Sequence, residues 1–447
     1  MRALTDTIVA ISTPIGVSAI SIVRLCGYDS LNIAKRLLKV STLKPRYAYL
    51  KYIYDSNNNV IDRGIVIYFK APNSFNGEDI IEFQIHGGIL VSKAIVNECL
   101  NYGARLANAG EFSKIALLNG KLNLAEIENI AKLISAQSLQ ALQIIARNLK
   151  GGLANFINDL RLNLLEILSS IEALIDYAEE DLPSNLEESI QKKLLLAIDK
   201  LDSIYQHSLS LQNVIDGHKL AIIGKPNVGK SSILNKLLLK DRAIVSDIAG
   251  TTRDVIEDSI TINNQIIKIV DTAGIHNTNE QIEKIGIEKS LEALSESSII
   301  LAVFDGSRDF DDDEIVDLLL QNMDKIIIVA INKSDKLQIL NTDKLSNFEC
   351  VSVSILDNSV FKIRDIIAEK ITINALNNES IVLSTKRQLE CIESCIGALK
   401  EAKDKLSDFE IFGFHINEAL RALDLLSKPF SNEEILDKMF STFCLGK

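Results

Sequence analysis

The sequence predicts a multidomain α/β and all-α protein in which a doubly wound α/β domain is inserted into a helical domain. A glycine-rich stretch, Gly224 to Ser231, lies between an apolar run and a helical pattern, as in phosphate-binding α/β domains. Apolar residues at helical spacing flank this region on both sides, and neither flank alone makes a convincing bundle. We therefore expect an N-terminal α+β domain at 1–120, a helical domain split between 121–216 and 378–447, and the inserted domain at 217–377.

Short apolar runs separated by turn residues predict the α+β character of the first 120 residues. Pro14 and Gly16 separate the first two strands, and Gly87-Gly88 opens a helix that reaches about Tyr102. Alternating tyrosines in the third strand indicate a half-exposed pleated surface. The predicted strands are 5–12, 18–25, 46–54, 61–69 and 80–86.

From residue 122 onwards the apolar residues recur at helical spacing. A stripe that begins at Leu124 predicts one helix, which is broken at Gly151-Gly152. The further helical stretches are 153–177 and 186–214 before the inserted domain, and 389–406 and 416–435 after it.

Composition limits the class of protein. The chain has 447 residues and a net charge of −12, which argues against a nonspecific nucleic-acid binder that depends on a basic surface alone. No apolar run approaches the ~20 residues of a membrane span, and Asp6 interrupts the apolar N-terminus. None of the six cysteines forms C-x-x-C, and Cys391 and Cys395 are expected to pack on one helix face rather than bind metal. We expect a soluble, reduced, cytoplasmic protein without membrane contact.

The glycine-rich stretch has the spacing of a phosphate-binding loop, G-x-x-x-x-G-K-S. The apolar run at 220–223 predicts a buried strand before it, which makes a chance glycine-rich turn the weaker alternative. Backbone N–H groups and the positive end of the following helix hold phosphate oxygens, and side chains at Gly224 and Gly229 would block that approach. Lys230 can reach the β- and γ-phosphates, and the Ser231 hydroxyl can ligate Mg²⁺.

Two later stretches follow in the order of a GTPase. Asp271-Thr-Ala-Gly274 comes after the apolar run 266–270, so Asp271 suits an Mg²⁺ ion held through water and Gly274 suits the γ-phosphate. Asn332-Lys-Ser-Asp335 comes after another apolar run, and its last carboxylate can accept both N1–H and N2–H₂ of guanine. Adenine lacks this donor pair, and sites of this kind reject the wrong ligand by roughly 10⁴–10⁵. The sequence therefore predicts GTP as the nucleotide.

Hydrolysis requires a group that orients the attacking water. Small GTPases place a glutamine directly after D-x-x-G, where this chain has Ile275. Thr252 is the better candidate for a switch hydroxyl on Mg²⁺, whereas Arg253 is either a cation for the transition state or a solvated loop arginine.

The residues expected to contact GTP are Asn227, Val228, Gly229, Lys230, Ser231, Ser232, Ser246, Asp247, Ile248, Ala249, Gly250, Thr251, Thr252, Asp271, Thr272, Ala273, Gly274, Asn332, Lys333 and Asp335.

The motifs carry a family resemblance over essentially the whole chain. Gly-Lys-Pro-Asn-Val-Gly-Lys-Ser with Asp247-Ile-Ala-Gly-Thr-Thr-Arg-Asp254 resembles the Era/Der/MnmE branch of translation-factor-related GTPases. The stretches 6–10, 74–88 and 443–447, in this order, narrow the resemblance to the MnmE/TrmE family of tRNA-modification GTPases.

The resemblance implies a homodimer joined through N-terminal domains that bind a tetrahydrofolate one-carbon donor. The folate contacts would fall on Arg24, Glu82, Lys121 and Lys447. Without the resemblance, the preferred interpretation is that Arg24 and Glu82 are outward strand charges and Lys121 is a helix-start charge. The family works with an FAD-containing MnmG/GidA-type partner, in a hetero-oligomer, to add a carboxymethylaminomethyl group at C5 of the tRNA wobble uridine. Cys444 matches the family's C-terminal cysteine, which is either catalytic or placed near the site.

The resemblance also implies potassium-dependent hydrolysis. The K⁺ ligands would be Asn227, Ser246 and the main-chain oxygens of Ile248 and Thr251, and Glu283 would act on water. The alternative for Asn227 is support of the loop by hydrogen bonding. The segment after D-x-x-G departs from the family, since His276 replaces a common arginine and residues 277–280 differ in length.

The function predicted from sequence is GTP hydrolysis within a tRNA-modification enzyme. The alternatives are a ribosome-assembly GTPase and a non-catalytic GTP switch or scaffold. A ribosome-assembly GTPase of the Era or Der kind is disfavoured because no RNA-binding domain with a G-x-x-G loop follows the nucleotide domain and no second phosphate-binding loop is present.

Overall fold

The structure is a computed structural model that describes residues 6–149, 151–176, 186–241, 259–270, 294–372, 381–427 and 433–441, together with Phe443 and Gly446. Its described part contains two six-stranded sheets, one before and one after a long helical region.

The N-terminal sheet has the strand order β3-β4-β5-β2-β1-β6. Its pairs are antiparallel except for β1 with β6. One face of the sheet buries Val23 and Phe83 against the helices, and the outer face carries Arg24 and Glu82. The elements are β1 (Ile8–Ile11), β2 (Ser18–Cys26), α1 (Ser30–Leu38), β3 (Tyr49–Tyr54), β4 (Val60–Phe69), β5 (Ile80–Gly87), α2 (Ile89–Asn101) and β6 (Arg105–Leu106).

The sequence prediction lacks α1, and the reason is its length. The helix spans 9 residues and is followed by the capping residue Lys39, whose backbone is left-handed with φ 53°. A helical period is recognised over windows of roughly 11–18 residues, so an element this short leaves too few turns to reveal it.

The next helices are α3 (Glu111–Leu118), α4 (Leu124–Ser135), α5 (Leu139–Asn148), α6 (Gly152–Asp176) and α7 (Leu186–Asp216). The single helix expected from Leu124 to Gly151 is wrong, because the structure divides it into α4 and α5. Ser138 accounts for the division, since its side chain accepts a hydrogen bond from the backbone N–H of Ala141 at 3.1 Å. A serine at this position satisfies an otherwise unpaired donor and starts a new helix.

The second sheet has the order β12-β11-β10-β7-β9-β8, and its pairs are parallel except for β8 with β9. Because the strands run parallel, the residues that follow β7, β10, β11 and β12 all lie at one edge. The elements are β7 (His218–Ile223), α8 (Lys230–Asp241), β8 (Ser259–Ile262), β9 (Gln265–Val270), β10 (Ile299–Asp305), α9 (Asp313–Leu320), β11 (Ile326–Asn332), β12 (Glu349–Ser352) and α10 (Phe361–Lys370).

The chain then returns to the helical region through α11 (Lys386–Asp404), α12 (Phe409–Ser427) and α13 (Glu433–Phe440). Fully buried Leu164 and Leu194, from before the second sheet, share one core with Ile392, Phe412 and Ile416 from after it. The predicted helical domain interrupted by an α/β domain is therefore confirmed.

The segment 381–385, which we call the return segment, is fixed by polar side chains that are buried or partly buried. The Asn148 side chain donates to the carbonyl of Val382 at 2.5 Å. Leu383 is bonded through its N–H to Ser208 Oγ at 2.9 Å, and through its carbonyl to Gln212 Nε2 at 2.7 Å. Since Ser208 and Gln212 belong to α7, the chain leaves the second sheet beside the helix by which it entered.

A buried ion pair between Glu128 and Arg387 lies beside the return segment and supports a stability prediction. The Glu128 carboxylate on α4 accepts hydrogen bonds from Arg387 Nε at 2.5 Å and from Gln388 Nε2 at 2.8 Å. Arg387→Ala leaves the carboxylate without its cation, so we expect a loss of about 3 kcal/mol in the free energy of unfolding of the helical domain. This loss in the free energy of unfolding is measured by native-state hydrogen exchange of the backbone amides of α4 and α11. Lys386→Ala is the matched control, because that side chain is 90% exposed and should change stability by less than about 0.5 kcal/mol. Equal protection in the two variants would contradict the prediction.

Candidate nucleotide-binding site

The loop between β7 and α8 requires glycine at two positions. Gly224 has φ 149°, and a Cβ there would lie 2.4 Å from the carbonyl oxygen of Val303. Gly229 has φ 101°, and its Cβ would lie 2.2 Å from the side-chain nitrogen of Asn332. The glycines were predicted from access to phosphate, and the structure adds that the loop packs against β10 and β11 too closely for any side chain.

Lys230, the first residue of α8, places its ammonium group over this loop. Its Nζ donates to the carbonyl oxygens of Gly224 at 2.6 Å and Lys225 at 2.9 Å. Burial lowers the pKa of Lys230 below its usual range. The ammonium is therefore held at the loop where a phosphate chain would lie, ready to exchange carbonyl partners for phosphate oxygens.

Asn227 and Ser231 present free oxygen ligands at the same loop. Asn227 has a left-handed backbone with φ 66° and an exposed side chain. Within the described ranges, neither the Asn227 amide nor the Ser231 hydroxyl has a hydrogen-bond partner. The described structure thus gives no support to the alternative that Asn227 acts only by hydrogen bonding within the loop.

The three predicted base-reading residues begin at the last residue of β11, and the first of them contacts the phosphate-binding loop. Asn332 is fully buried and donates from Nδ2 to the carbonyl of Val228 at 2.7 Å. Lys333 has φ 64° and its Nζ lies 2.5 Å from Asp305 Oδ2. One oxygen of Asp335 accepts the Ser354 hydroxyl at 2.5 Å. The strand end therefore links the loop that would hold phosphate to the carboxylate that would read the base.

Two of these partners, Ser354 and Asp305, were missed by the sequence analysis. Ser354 is buried just beyond the end of β12, and Asp305 is the buried last residue of β10. Both are polar residues at the carboxyl end of a parallel strand, and the same pattern had singled out Asp271. Applying that rule to every apolar run would have found Asp305, whereas Ser354 lies in a stretch with several serines and stands out less.

Ion pairs made by Lys225 connect the phosphate-binding loop to a neighbouring segment. Lys225 Nζ lies 2.9 Å from Asp311 Oδ2 and 3.5 Å from Asp312 Oδ1, just before α9. Burial raises the pKa of Asp312. These contacts tie the loop to the segment that follows β10.

Several predicted site residues lie outside the described residues and stay predictions. They are the switch and K⁺ residues Ser246, Asp247, Ile248, Ala249, Gly250, Thr251, Thr252 and Arg253, the residues Asp271, Thr272, Ala273, Gly274, Ile275, His276 and Glu283, and the C-terminal Cys444 and Lys447.

A separate polar cluster lies on the outer face of the N-terminal sheet. Arg24 and Glu82 are cross-strand neighbours, with Arg24 Nη2 at 2.8 Å from Glu82 Oε1. The Arg24 guanidinium also lies 6.0 Å from the centre of the Phe75 ring and 5.5 Å from that of Phe112. Lys121 approaches the same loop as Phe75, since a Cβ on Gly77 would be 3.2 Å from Lys121 Cε.

The C-terminal end of the chain reaches this cluster. The carbonyl oxygen of Gly446 accepts hydrogen bonds from Arg24 Nη1 at 3.2 Å and from Ser12 Oγ at 3.0 Å. Upstream, α13 packs on α3, where Phe440 and Leu436 are buried with Leu117. The last described residue is therefore held beside two residues predicted for folate.

Comparison with known proteins assigns the chain to a family. Residues 7–121 match the family model described as "GTP-binding protein TrmE N-terminus", and residues 124–444 match that of the MnmE helical domain. The chain belongs to the MnmE/TrmE family. A protein of Sulfurovum sp. (strain NBC37-1) named tRNA modification GTPase MnmE is 47% identical over 450 residues, with 100% of both chains covered. Its namesake in Aliarcobacter butzleri (strain RM4018) is 48% identical over 446 residues, with 99% of each covered.

Among solved structures, Aquifex aeolicus Era bound to GDP·AlF₄⁻ matches with a TM-score of 0.27 and 27% identity, over 40% of this chain and 66% of that chain. The predicted family and the predicted fold class are both confirmed: a TrmE-type N-terminal domain, an MnmE helical domain and a GTPase α/β domain. In the part of this MnmE-family chain that the structure describes, no helix is long and apolar enough to cross a membrane.

Proposed function

We propose that this protein hydrolyses GTP as part of a tRNA-modifying enzyme that adds a carboxymethylaminomethyl group to C5 of the wobble uridine. The one-carbon unit comes from a tetrahydrofolate derivative bound to the N-terminal domain, and an FAD-containing MnmG/GidA-type partner joins the protein in a hetero-oligomer in the cytoplasm. The observation that carries the proposal is the contact of Gly446 with Arg24, because it joins the end of the chain to the N-terminal sheet. The domains we propose are 1–120, 121–216 with 378–447, and 217–377.

The nucleotide half of the proposal uses the loop after β7 and the motif after β11. The backbone of the loop and Lys230 hold the phosphates, while Ser231 and Thr252 hold Mg²⁺. Asn332 and Lys333 support the base, and Asp335 selects guanine through its free oxygen.

The Asn227 side chain, which has no hydrogen-bond partner among the described residues, fits a monovalent cation ligand, since an amide oxygen is the kind of donor that K⁺ takes. Asn227 would hold K⁺ together with Ser246 and the main-chain oxygens of Ile248 and Thr251. Bound there, the ion would supply positive charge to the phosphates during hydrolysis. Glu283 would act on the attacking water, which Ile275 cannot orient.

The cluster around Arg24 fits a folate. A pterin presents adjacent N–H donors, as guanine does, and the Glu82 carboxylate is an acceptor for them. Phe75 is partly exposed and offers an aromatic face beside the guanidinium. Lys121 and Lys447 supply positive charge for the carboxylates of the folate tail. Cys444 lies two positions before Gly446 in the sequence, which favours a role for its thiol at this site.

The outer face of the N-terminal sheet supports a homodimer. Leu50, Tyr52 and Ile65 are exposed there on the paired strands β3 and β4. Apolar side chains that are contiguous on a sheet face mark an interaction surface. A second copy of the same face would cover them and bring two folate sites together.

Folate binding by the purified protein tests the proposal. We expect 5-formyltetrahydrofolate to bind the wild type, measured by isothermal titration calorimetry, and Arg24→Ala to weaken binding by about tenfold or more, because a charged partner of the ligand site is lost. Lys51→Ala, an exposed basic residue on β3 of the same sheet, is the matched control and should bind as the wild type does. No binding by the wild type, or equal affinity in all three proteins, would contradict the folate assignment.

A further inference from the structure

Asp305 is a buried carboxylate beside the base-reading motif to which the proposed reaction gives no role. It is the last residue of β10 and only 4% exposed. The parallel register places it opposite Asn332, the first residue of the motif, and Gly306 N–H donates to the carbonyl of Asn332 at 2.9 Å. Strand pairing thus brings a second carboxylate to the guanine site from a distant part of the chain.

The two oxygens of Asp305 have different partners. Oδ1 accepts the backbone N–H of Ser307 at 3.1 Å and its hydroxyl at 2.7 Å. Oδ2 faces Lys333 Nζ at 2.5 Å and Arg308 Nε at 3.2 Å. Because Ser307 fixes one oxygen, the other is presented to the lysine in a single orientation.

The carboxylate is ionised at neutral pH despite its burial. Burial by itself raises the pKa of Asp305, but hydrogen bonds from Lys333 and Ser307 outweigh that effect and bring the pKa below its usual range. The pair with Lys333 is therefore a charged one in a site shielded from water, where such contacts are stronger than at the surface.

Lys333 needs such an anchor because its function depends on the position of its stem. A lysine loses up to about 2 kcal/mol of rotamer freedom when it is fixed, so a free stem would be ordered only at the expense of nucleotide affinity. Its backbone is already fixed in the left-handed region, with φ 64°, and 23% of its side chain is exposed. With Nζ bound to Asp305, both ends of the stem are held before any nucleotide arrives.

We propose that Asp305 is a positioning residue for guanine recognition, which anchors the ammonium group of Lys333 so that the lysine stem is preordered along the base. The inference rests on the proposed binding of GTP. It competes with a purely structural role, in which Asp305 only caps the end of β10 through Ser307 and Arg308.

A double-mutant cycle separates the two roles. We measure the dissociation constant for GDP, by fluorescence of a labelled nucleotide, in the full-length wild type, Asp305→Asn, Lys333→Met and the double variant. Asp305→Asn keeps the shape of the side chain and its bonds to Ser307 but removes the charge facing Lys333. We expect about tenfold weaker binding, mostly through faster dissociation, and we expect this effect to vanish in the Lys333→Met background because contacting residues couple.

Asp309→Asn is the matched control, since Asp309 is an exposed aspartate in the same segment with the same loss of charge. It should bind GDP as the wild type does. If Asp305→Asn fails to fold, Ser307→Ala replaces it in the cycle: releasing Oδ1 should cost a few-fold in affinity, again only when Lys333 is present.

The outcomes are distinct. Independent, multiplicative losses in the double variant, or an unchanged dissociation constant in Asp305→Asn, would overturn the positioning role and leave the guanine site intact. An unchanged dissociation constant in Lys333→Met would overturn the guanine-site assignment itself.

Discussion

Replacing Asp335 with asparagine is expected to switch the base preference of the site from guanine to xanthine. The Ser354 hydroxyl donates to one oxygen of Asp335 at 2.5 Å, which leaves the other oxygen for the base. In Asp335→Asn the same hydroxyl orients the amide oxygen, so the amide N–H₂ takes the place of the free oxygen. The N–H donors of guanine then face the asparagine N–H₂, which is also a donor, and lose their acceptor. The C2 carbonyl of xanthine, in contrast, can accept a hydrogen bond from this N–H₂.

We expect GDP affinity to fall by roughly 10⁴, because the donors of guanine would face a donor and lose their acceptor. Xanthosine diphosphate should bind the variant better than GDP does. Competition of both nucleotides against a labelled analogue measures the two constants. Asp343→Asn, at an exposed position outside the site, serves as the control. If Asp335→Asn retains the preference of the wild type for GDP, Asp335 does not read the base.

Hydrolysis is expected to be faster in K⁺ than in Na⁺ at equal ionic strength, by a factor that approaches the contribution of an arginine finger, roughly 10³–10⁵. The physical reason is that Ile275 cannot orient water, and a bound ion would supply the positive charge that hydrolysis needs in a site shielded from water. Asn227 is the proposed ligand that the structure describes, since its exposed side-chain amide has no hydrogen-bond partner among the described residues.

Asn227→Ala should remove the difference between the two salts while GTP binding is largely retained, because Lys230 and the loop backbone still hold the phosphates. Single-turnover rates in matched chloride salts, with nucleotide affinity measured in parallel, test this. Asn235→Ala on α8 is the matched control, since Asn235 is exposed and lies one turn beyond the loop. Equal rates of the wild type in K⁺ and Na⁺ would rule out the ion.

The parts of the site that could be predicted from sequence are those that lie in one short stretch of chain. Gly224, Gly229 and Lys230 share a turn between a strand and a helix, so their spacing alone encodes the phosphate-binding geometry. Asp305 and Ser354 come to the same site through the pairing of parallel strands, and no local spacing records which strand ends become neighbours.

The fold shows the same division. Long periodic segments such as α6 and α7 were predicted almost to the residue, because packing of one apolar face imposes the period. The short α1 and the interruption at Ser138 were missed, since a single cap or a few turns decide them. The docking of Gly446 on Arg24 could be anticipated only from the family resemblance, because the two residues are separated by 422 positions.

The return segment has a consequence for the order in which the protein can fold during synthesis. The core of the helical domain contains Leu164 and Leu194 from the first half and Ile392 and Phe412 from the second, so the first half emerges from the ribosome with its apolar faces uncovered. The intervening α/β domain has its own core and can fold while those apolar faces are still uncovered. The buried side chain of Asn148 on α5, which donates to the carbonyl of Val382, likewise lacks this partner until residues 381–385 are made. We therefore expect nascent chains that stop just short of the return segment to bind chaperones that recognise exposed apolar helices, and to release them once α11 and α12 have been synthesised.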